Sequence, residues 1–199
     1  LIVGEHGNYP RNEKGQKLYP RYELMEQVVD VFRRDQRAVP VFSEKHLSYS
    51  WWKAQRMFDW SRELKFPFMA GSSIPVTVRV PELEVPYNAE FENAVGVGYG
   101  DVDAYGFHTL ETLQCMVERR AGGEKGVASV QVLEGEDVWK WRDGAEGRWS
   151  IPLLKAALST TTKTKPGNPE QNAPKPVLFL LEYRDGLRAA PYLLNGHTT

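Results

Sequence analysis

The first part of the chain alternates between short apolar runs and longer segments with helical periodicity. The apolar runs have the length of buried strands, and the clearest helix has apolar side chains at i, i+3, i+4 and i+7 from Met25. In order, the pattern predicts a strand at residues 1–3, a helix at 21–34, a strand at 39–42, a helix at about 50–64 and a strand at 66–70. This alternation predicts an α/β arrangement, with helices packed on a parallel sheet.

The pattern changes after the first 74 residues. Alternation at Val76, Val78 and Val80 predicts a strand that prolines then interrupt. Further predicted elements are strand 94–97, helix 107–120, strand 127–133, short helices 137–141 and 151–158, and strands 177–183 and 187–194. The last two strands flank Asp185-Gly186, a strong hairpin signal, so we expect an α+β part with a mostly antiparallel sheet. Residues 159–176 are poor in apolar side chains and rich in Thr, Lys and Pro, which predicts an exposed or mobile loop.

The composition is that of an ordinary globular chain. The 199 residues are 41% hydrophobic and 26% charged, and the formal net charge of −1 gives no reason to expect a nucleic acid or a membrane surface as partner. No apolar run approaches the roughly 20 residues that a membrane helix needs. Cys115 is the single cysteine, which excludes an internal disulfide and a cysteine-based zinc site.

The chain opens inside a predicted strand, without an initiator Met or a leader. We therefore expect it to be part of a longer protein. The compartment stays open: a cytoplasmic protein is favoured, and an exported form remains an alternative.

The first candidate site follows two predicted strands. Glu44, Lys45 and His46 come after the strand at 39–42, and Glu5 and His6 come after the first strand. Because ligands bind at the carboxyl ends of the strands in open α/β sheets, these side chains are candidates for one crevice. The alternative is an ordinary polar loop after a buried strand.

The second candidate site is the start of the helix at 107–120. His108 lies in its first turn, and helical spacing places Glu111 and Cys115 along the same side. A histidine there can exchange a proton near neutral pH, and the helix N-terminus favours its neutral form. The alternative is a histidine that only makes a cap or one structural hydrogen bond.

Two further interpretations stay open. Glu5, His6, Glu44 and His46, with His108 and Glu111, are residue types that could together bind a metal, although chance clustering is the simpler explanation. The tryptophans at 139, 141 and 149 could stack on a sugar or belong to the core.

The order of the elements, with Glu44-Lys45 after a strand and Gly106-Phe107-His108 at the start of a helix, resembles the glucose–fructose oxidoreductase/inositol dehydrogenase (Gfo/Idh/MocA) family of NAD(P)-dependent enzymes. The resemblance spans nearly the whole chain and rests on pattern more than on identity. In that family a Glu-Lys-Pro motif places its lysine beside the nicotinamide and the substrate; here His46 replaces the proline. The family's second motif has an aspartate two residues before Gly-x-His; here Ala104 stands at that position, and Asp103 is one residue early.

The resemblance implies a partial Rossmann-like domain over residues 1–74 and an open-faced substrate and oligomerisation domain over residues 75–199. It implies an oxidoreductase that acts on a sugar or polyol with NAD or NADP and forms a homo-oligomer through the open sheet. The implied catalytic residues are Lys45 and His108, with no resident metal; the cofactor side comprises Gly4, Glu5, His6, Glu44 and Lys45, and the substrate side His46 and Glu111.

One part of the family's pattern does not lie within these residues. The family's glycine-rich dinucleotide fingerprint belongs to a strand-turn-helix that would precede Leu1. Loss of cofactor binding in this chain is therefore an open alternative. Two alternatives are a non-redox carbohydrate-active homologue (a hydrolase, lyase or isomerase that uses the Glu/His cluster, with or without a metal) and a non-catalytic binding module.

Overall fold

The chain forms two compact units, Leu1–Ser73 and Ile74–Thr199, in a computed structural model that describes residues 1–4, 7–161 and 163–198. Each unit combines helices with its own sheet, so the chain has an α/β fold. The units are described separately below.

The first unit contains a small parallel sheet. Its elements are α1 (Arg21–Arg34), β1 (Val41–Glu44), α2 (Trp51–Glu63) and β2 (Phe68–Gly71). β1 pairs with β2 in parallel, and Ile2 forms a parallel bridge to Ser43 on the opposite edge of β1. The Ile2 N–H donates to the Phe42 carbonyl at 2.8 Å, and the Glu44 N–H donates to the Ile2 carbonyl at 3.0 Å. The predicted strand-helix order is confirmed, and α1 has the predicted bounds.

One apolar core holds this unit together. The apolar stripes of α1 and α2 pack with the buried strand residues, as the periodicity of α1 predicts. The buried members are Ile2, Met25, Val29, Phe32, Val41, Met57, Trp60 and Phe66. Between the two helices, Tyr22 stacks on Trp60 at a ring distance of 5.2 Å, and Lys53 forms an ion pair with Glu23. This packing fixes the start of each helix at the edge of the sheet where the strands end.

The second unit contains a mixed four-stranded sheet. Its elements are a 3-10 turn (Ile74–Val76), β3 (Asn93–Gly98), a π-helical turn (Val102–Gly106), α3 (Phe107–Val117), β4 (Val127–Glu134), α4 (Glu136–Asp143), α5 (Ser150–Thr160), α6 (Pro169–Asn172), β5 (Val177–Tyr183) and β6 (Arg188–Leu193). The strand order is β3-β6-β5-β4. β3 and β6 are parallel, and the other two pairings are antiparallel. The hairpin around Asp185-Gly186 is confirmed.

The expectation of an open-faced sheet needs correction, because helices lie on both faces. Leu113 and Val117 of α3 pack against one face, beside Leu181 and Tyr183. α4 and α5 cover the other face, with buried side chains at Val138, Leu154, Leu178 and Tyr192. The outer strand β4 keeps apolar side chains exposed on the α3 face, at Val127, Val130 and Val132.

Three predicted segments differ in the structure. Residues 76–84 are not assigned to a strand, since prolines remove backbone donors and the alternating valines meet no neighbouring strand. The helix predicted to reach residue 120 ends at Val117, before Gly122-Gly123. Residues 159–176 hold the end of α5, the short helix α6 and the buried Ala173, so the segment has regular structure; its mobility remains a prediction.

Two glycines allow α3 to lie close to β3. A Cβ at Gly98 would stand 3.0 Å from both Cβ and Cγ2 of Thr109, and one at Gly96 would stand 3.4 Å from a Leu113 methyl. The strand therefore has no side chain where the helix begins, and this contact sets the position of the first turn of α3.

We expect Gly98→Ala to lower the free energy of unfolding by about 1–3 kcal/mol. The added methyl would clash with Oγ1, Cβ and Cγ2 of Thr109 and would therefore overpack the β3–α3 contact. Gly96→Ala is the matched control and should cost less, because its methyl would lie at about van der Waals distance from the end of a flexible side chain. Urea denaturation of the two variants measures the difference; equal midpoints would contradict this account of the packing.

The other end of α3 is held by Arg120, which is 4% exposed. Its Nε donates to Asp185 Oδ2 at 2.7 Å, its Nη1 donates to the Val117 carbonyl at 2.9 Å, and its guanidinium lies 4.7 Å from the centre of the Tyr183 ring. The hydrogen bond from Arg120 holds the pKa of Asp185 below its ordinary value of 3.8. The hairpin turn and the end of α3 are thereby joined.

This pair predicts an acid-sensitive contribution to stability. Because the folded state favours ionised Asp185, the contribution is complete above pH 3.8, the carboxyl's ordinary pKa, and is lost as pH falls through the lower folded-state pKa. Asp185→Asn should therefore lose stability near neutral pH and show a smaller further loss in acid than the wild type. Urea midpoints at about pH 6 and about pH 3 measure this linkage. Glu146→Gln, at an exposed carboxylate of the same unit, serves as control; an unchanged acid response in Asp185→Asn would contradict the assignment.

Candidate functional site

The carboxyl end of β1 places Lys45 in an unusual environment. Lys45 follows the last residue of the strand, is 4% exposed and has a left-handed backbone with φ of 60°. Its N–H donates to the Gly71 carbonyl at 2.8 Å, which continues the pairing with β2. Lysine is almost never fully buried unless it is paired, and left-handed non-glycine residues are concentrated at functional sites. The residue predicted from the sequence as a catalytic lysine is therefore buried where the parallel strands end.

His46 is held by two residues next to the start of α1. The Arg21 Nη1 lies 3.4 Å from His46 Nε2, and the His46 ring meets Tyr19 edge-on at 5.8 Å. Arg21 is fully buried, with its guanidinium 4.5 Å from the centre of the Tyr19 ring. Since a guanidinium can only donate, Nε2 is the acceptor in this contact. His46 therefore has a fixed orientation, with an arginine as its donor.

Gly4 lies against the same helix start. A Cβ there would be 3.4 Å from Cγ of Arg21, at ordinary van der Waals distance. Glu5 and His6, which the sequence also assigns to this edge, lie outside the described residues. Ser43 was missed by sequence reasoning: its hydroxyl is fully buried and has no hydrogen-bond partner among the residues that the structure describes.

A cavity of about 500 Å³ lies in the second unit, between α3, β3 and the segment that precedes β3. This volume is within the range of small-molecule sites. Its polar groups come mainly from Tyr99, Tyr105, His108, Thr109 and Thr112. Its apolar wall includes Ile74, Leu83, Val85, Phe91, Leu113 and Met116. The cavity is thus a mostly apolar hollow with hydroxyls and one imidazole along one side.

His108 is the second residue of α3 and forms part of this wall. Its ring meets Tyr105 edge-on at 6.2 Å and Phe107 at 6.3 Å. Its carbonyl accepts the Thr112 hydroxyl at 2.7 Å. The imidazole predicted from the sequence to exchange a proton is therefore carried on a helix that packs into the sheet, beside a cavity.

The turn before His108 is π-helical, which the sequence pattern did not reveal. The Gly106 N–H donates to the Asp101 carbonyl at 3.2 Å, an i→i+5 bond, and the Asp101 side chain accepts from the Ala104 N–H at 2.8 Å. The Asp101 carbonyl also accepts from the Tyr105 N–H at 2.8 Å, an i→i+4 bond. π-Helical turns are frequent at functional sites. Asp103 and Ala104 both lie within this turn, and Ala104 still stands at the position of the family's aspartate.

The predicted alignment of His108, Glu111 and Cys115 does not describe the cavity wall. The α3 side chains that line the cavity are His108, Thr109, Thr112, Leu113, Met116 and Val117, so Glu111 and Cys115 lie to the side of it. The Cys115 Sγ donates to the Thr112 carbonyl at 3.1 Å, and burial raises the pKa of this thiol. The role of Glu111 toward a substrate stays a prediction.

Neither a metal centre nor a membrane span is found within the part of the chain that the structure describes. No cluster of three or more His, Cys, Asp or Glu side chains there could hold a metal ion. Glu5 and His6, two members of the alternative metal set, fall outside that part. Likewise, no helix within the described ranges is both long and apolar enough to cross a bilayer.

Comparison with known proteins finds similarity only among solved structures. No family model matches the chain, and no curated protein matches it. Among solved structures, the chain is similar to a protein named as a candidate dehydrogenase from Bordetella bronchiseptica RB50, with 14% sequence identity and a TM-score of 0.46. The match covers 88% of this chain and 42% of the other. The chain thus spans less than half the length of the protein it matches.

Proposed function

We propose that this chain is part of an oxidoreductase that moves a hydride between a sugar or polyol carbon and NAD or NADP. The proposal rests on the resemblance carried by Glu44-Lys45 and Gly106-Phe107-His108. The observation that carries it furthest is the burial of Lys45, in a left-handed conformation, where parallel strands end. His108 supports it independently, through its place in the wall of a cavity of suitable size.

The proposed chemistry uses the two side chains in different ways. His108 accepts the proton of the substrate hydroxyl while a hydride leaves the same carbon, so the alcohol becomes a carbonyl and one proton is released. The Lys45 ammonium stabilises the negative charge that develops on the substrate oxygen. The nicotinamide, when bound, accepts the hydride. Lys45 belongs to the first unit and His108 to the second, and only the resemblance implies that both act on one substrate.

The residues at the carboxyl edge fit the ring end of such a cofactor better than its phosphates. Gly4 offers no side chain there, and Lys45 directly follows the last residue of β1. The sequence contains no GxGxxG fingerprint, whose turn and following helix hold a pyrophosphate. We therefore assign Glu44 and Lys45 to the nicotinamide side. Glu5 and His6, which follow Gly4 in the sequence, keep this assignment from the resemblance alone.

We expect His108→Ala to reduce kcat by about 10²–10⁴-fold in the complete protein, because the proton of the hydroxyl loses its acceptor. Cys115→Ser, on the same helix but beside the cavity, is the matched control and should keep wild-type kcat. Steady-state assays with a panel of sugars and polyols, together with circular dichroism, measure activity and fold.

Retained activity in His108→Ala would remove this residue from the mechanism. Turnover of a sugar without any nicotinamide would instead support the non-redox alternative. Absence of both turnover and nucleotide binding in the complete protein would support the binding-module alternative.

We also propose that the chain forms homo-oligomers through the exposed strand β4. Val130 and Val132 pair with Leu181 and Phe179 of β5, so they share the sheet face that α3 covers elsewhere. These valines remain about half exposed on β4. Exposed apolar rows on an outer strand are typical of surfaces that pair with another chain.

Val130→Asp should lower the oligomeric mass measured by light scattering after gel filtration, because it places a charge in the proposed contact. Gln131→Asp adds the same charge to the opposite face of the same strand and should leave the mass unchanged. An unaltered mass in Val130→Asp would overturn this interface.

A further inference from the structure

The cavity beside His108 is lined mostly by apolar side chains. None of the described residues that line it is an Asp, Glu, Lys or Arg. We call the following side chains the apolar part of the cavity: Leu83, Val85, Phe91, Leu113 and Met116. A charged ligand group there would lose its water without meeting a counter-charge. The lining therefore favours an uncharged ligand.

The polar side chains of this cavity lie together at the start of α3. The Tyr99 and Tyr105 rings are 5.0 Å apart, and the Tyr105 ring meets the His108 ring edge-on at 6.2 Å. Thr109 and Thr112 also line the cavity, but their hydroxyls donate to carbonyls of the preceding turn, at 3.0 and 2.7 Å. We call Tyr99, Tyr105 and His108 the polar end of the cavity.

The apolar part lies farther along α3. Met116 follows His108 by eight residues, which corresponds to about 12 Å along a helix axis. Gly98 lies against the first turn of α3 and Gly96 against Leu113, so β3 and α3 run in opposite directions. The start of β3 therefore lies beside the later turns of α3, and the apolar residues that precede the strand meet those of the helix. Hydrogen-bonding and apolar side chains thus occupy opposite ends of one cavity.

The segment that closes the apolar part lacks regular secondary structure, but two arginines hold it in place. Arg79 Nη1 donates to the Leu83 carbonyl at 2.8 Å, and Arg119 Nη1 donates to the Val85 carbonyl at 2.6 Å. Glu84 forms ion pairs with both arginines. These charged residues are not among those that line the cavity. The wall is therefore fixed from outside, and the cavity is preformed, as small-molecule sites usually are.

The volume leaves room for more than one ring. An apolar cavity of about 150 Å³ is large enough to bind benzene, whereas this cavity measures about 500 Å³. A sugar ring alone matches the apolar part poorly, because its hydroxyls would lose their water there and find no hydrogen-bond partner. An apolar ring, in contrast, gains free energy when it leaves water. A ligand that matches both ends carries hydroxyls at one end and an apolar ring at the other.

We propose that the substrate is a sugar or polyol that carries an uncharged apolar ring, as an aryl glycoside does, and that this ring binds between α3 and the segment before β3. The inference rests on the proposed function, because it takes His108 to mark the hydroxyl that reacts. Binding of the apolar ring holds that hydroxyl beside the imidazole.

The test is a calorimetric titration of the complete protein, without cofactor, with the phenyl and methyl β-glycosides of glucose, galactose and xylose. At least one phenyl glycoside should bind about tenfold more tightly than the methyl glycoside of the same sugar, because only the phenyl ring fills the apolar part. Leu83→Gln and Met116→Gln, which make opposite walls polar, should each remove most of this difference.

Val78→Gln is the matched control. Val78 belongs to the same segment as Leu83, is 90% exposed and does not line the cavity, so the preference for the phenyl glycoside should remain. Circular dichroism of the three variants checks that each keeps the fold.

The outcomes separate this inference from the proposed function. Equal Kd values for the phenyl and methyl glycosides of all three sugars would overturn the inference, and so would a phenyl preference that both cavity variants retain. Equally tight binding of 1-phenylethanol would show that the sugar is not needed and would overturn the glycoside. A phenyl preference that depends on Leu83, without oxidation by NAD or NADP, would overturn the proposed function and leave the binding site standing. Oxidation that depends on His108, with equal Kd values within each pair of glycosides, would do the reverse.

Discussion

The parallel pairing of Ile2, β1 and β2 is the constraint on which the first unit depends. Because backbone hydrogen bonds join both edges of β1 to strands of the same direction, all three strand ends meet at one edge. The helices that return the chain to the next strand begin beside that edge, and the common core fixes their starts. Lys45, which is buried, and His46, which Arg21 contacts, therefore directly follow the end of β1 at this edge.

In the second unit, contacts at both ends of α3 fix the position of this helix. Near its start, α3 touches a strand that lacks a side chain at Gly98, and at its end Arg120 is bonded to the hairpin turn at Asp185. Residues on an element supported in this way keep their orientation better than residues on a loop. The π-helical turn joins the helix to β3 without a long flexible link. His108 is therefore presented to the cavity from a rigid support.

Periodicity was enough to predict α1, whose amphipathic stripe is long and regular, and the Asp185-Gly186 hairpin, whose turn chemistry is local. It failed at residues 76–84, because alternation reports a tendency toward extended structure, while a strand also needs a neighbour to pair with. Periodicity also could not predict that the turn before His108 contains an i→i+5 hydrogen bond. Lys45 is buried although lysine is usually exposed. The cavity is formed where α3 lies against the segment before β3. Both features depend on tertiary contacts, which a local sequence pattern does not predict.

The left-handed conformation of Lys45 lowers the stability of the folded state at the position where the proposed function needs a lysine side chain. A left-handed backbone is disfavoured for a lysine and is freely accessible to glycine. Glycine or asparagine would relieve the torsional penalty there but would remove the ammonium from the end of the strand. A selection for thermal stability alone would therefore replace lysine at this site, whereas a selection for the proposed role of Lys45 would retain it together with its conformational cost.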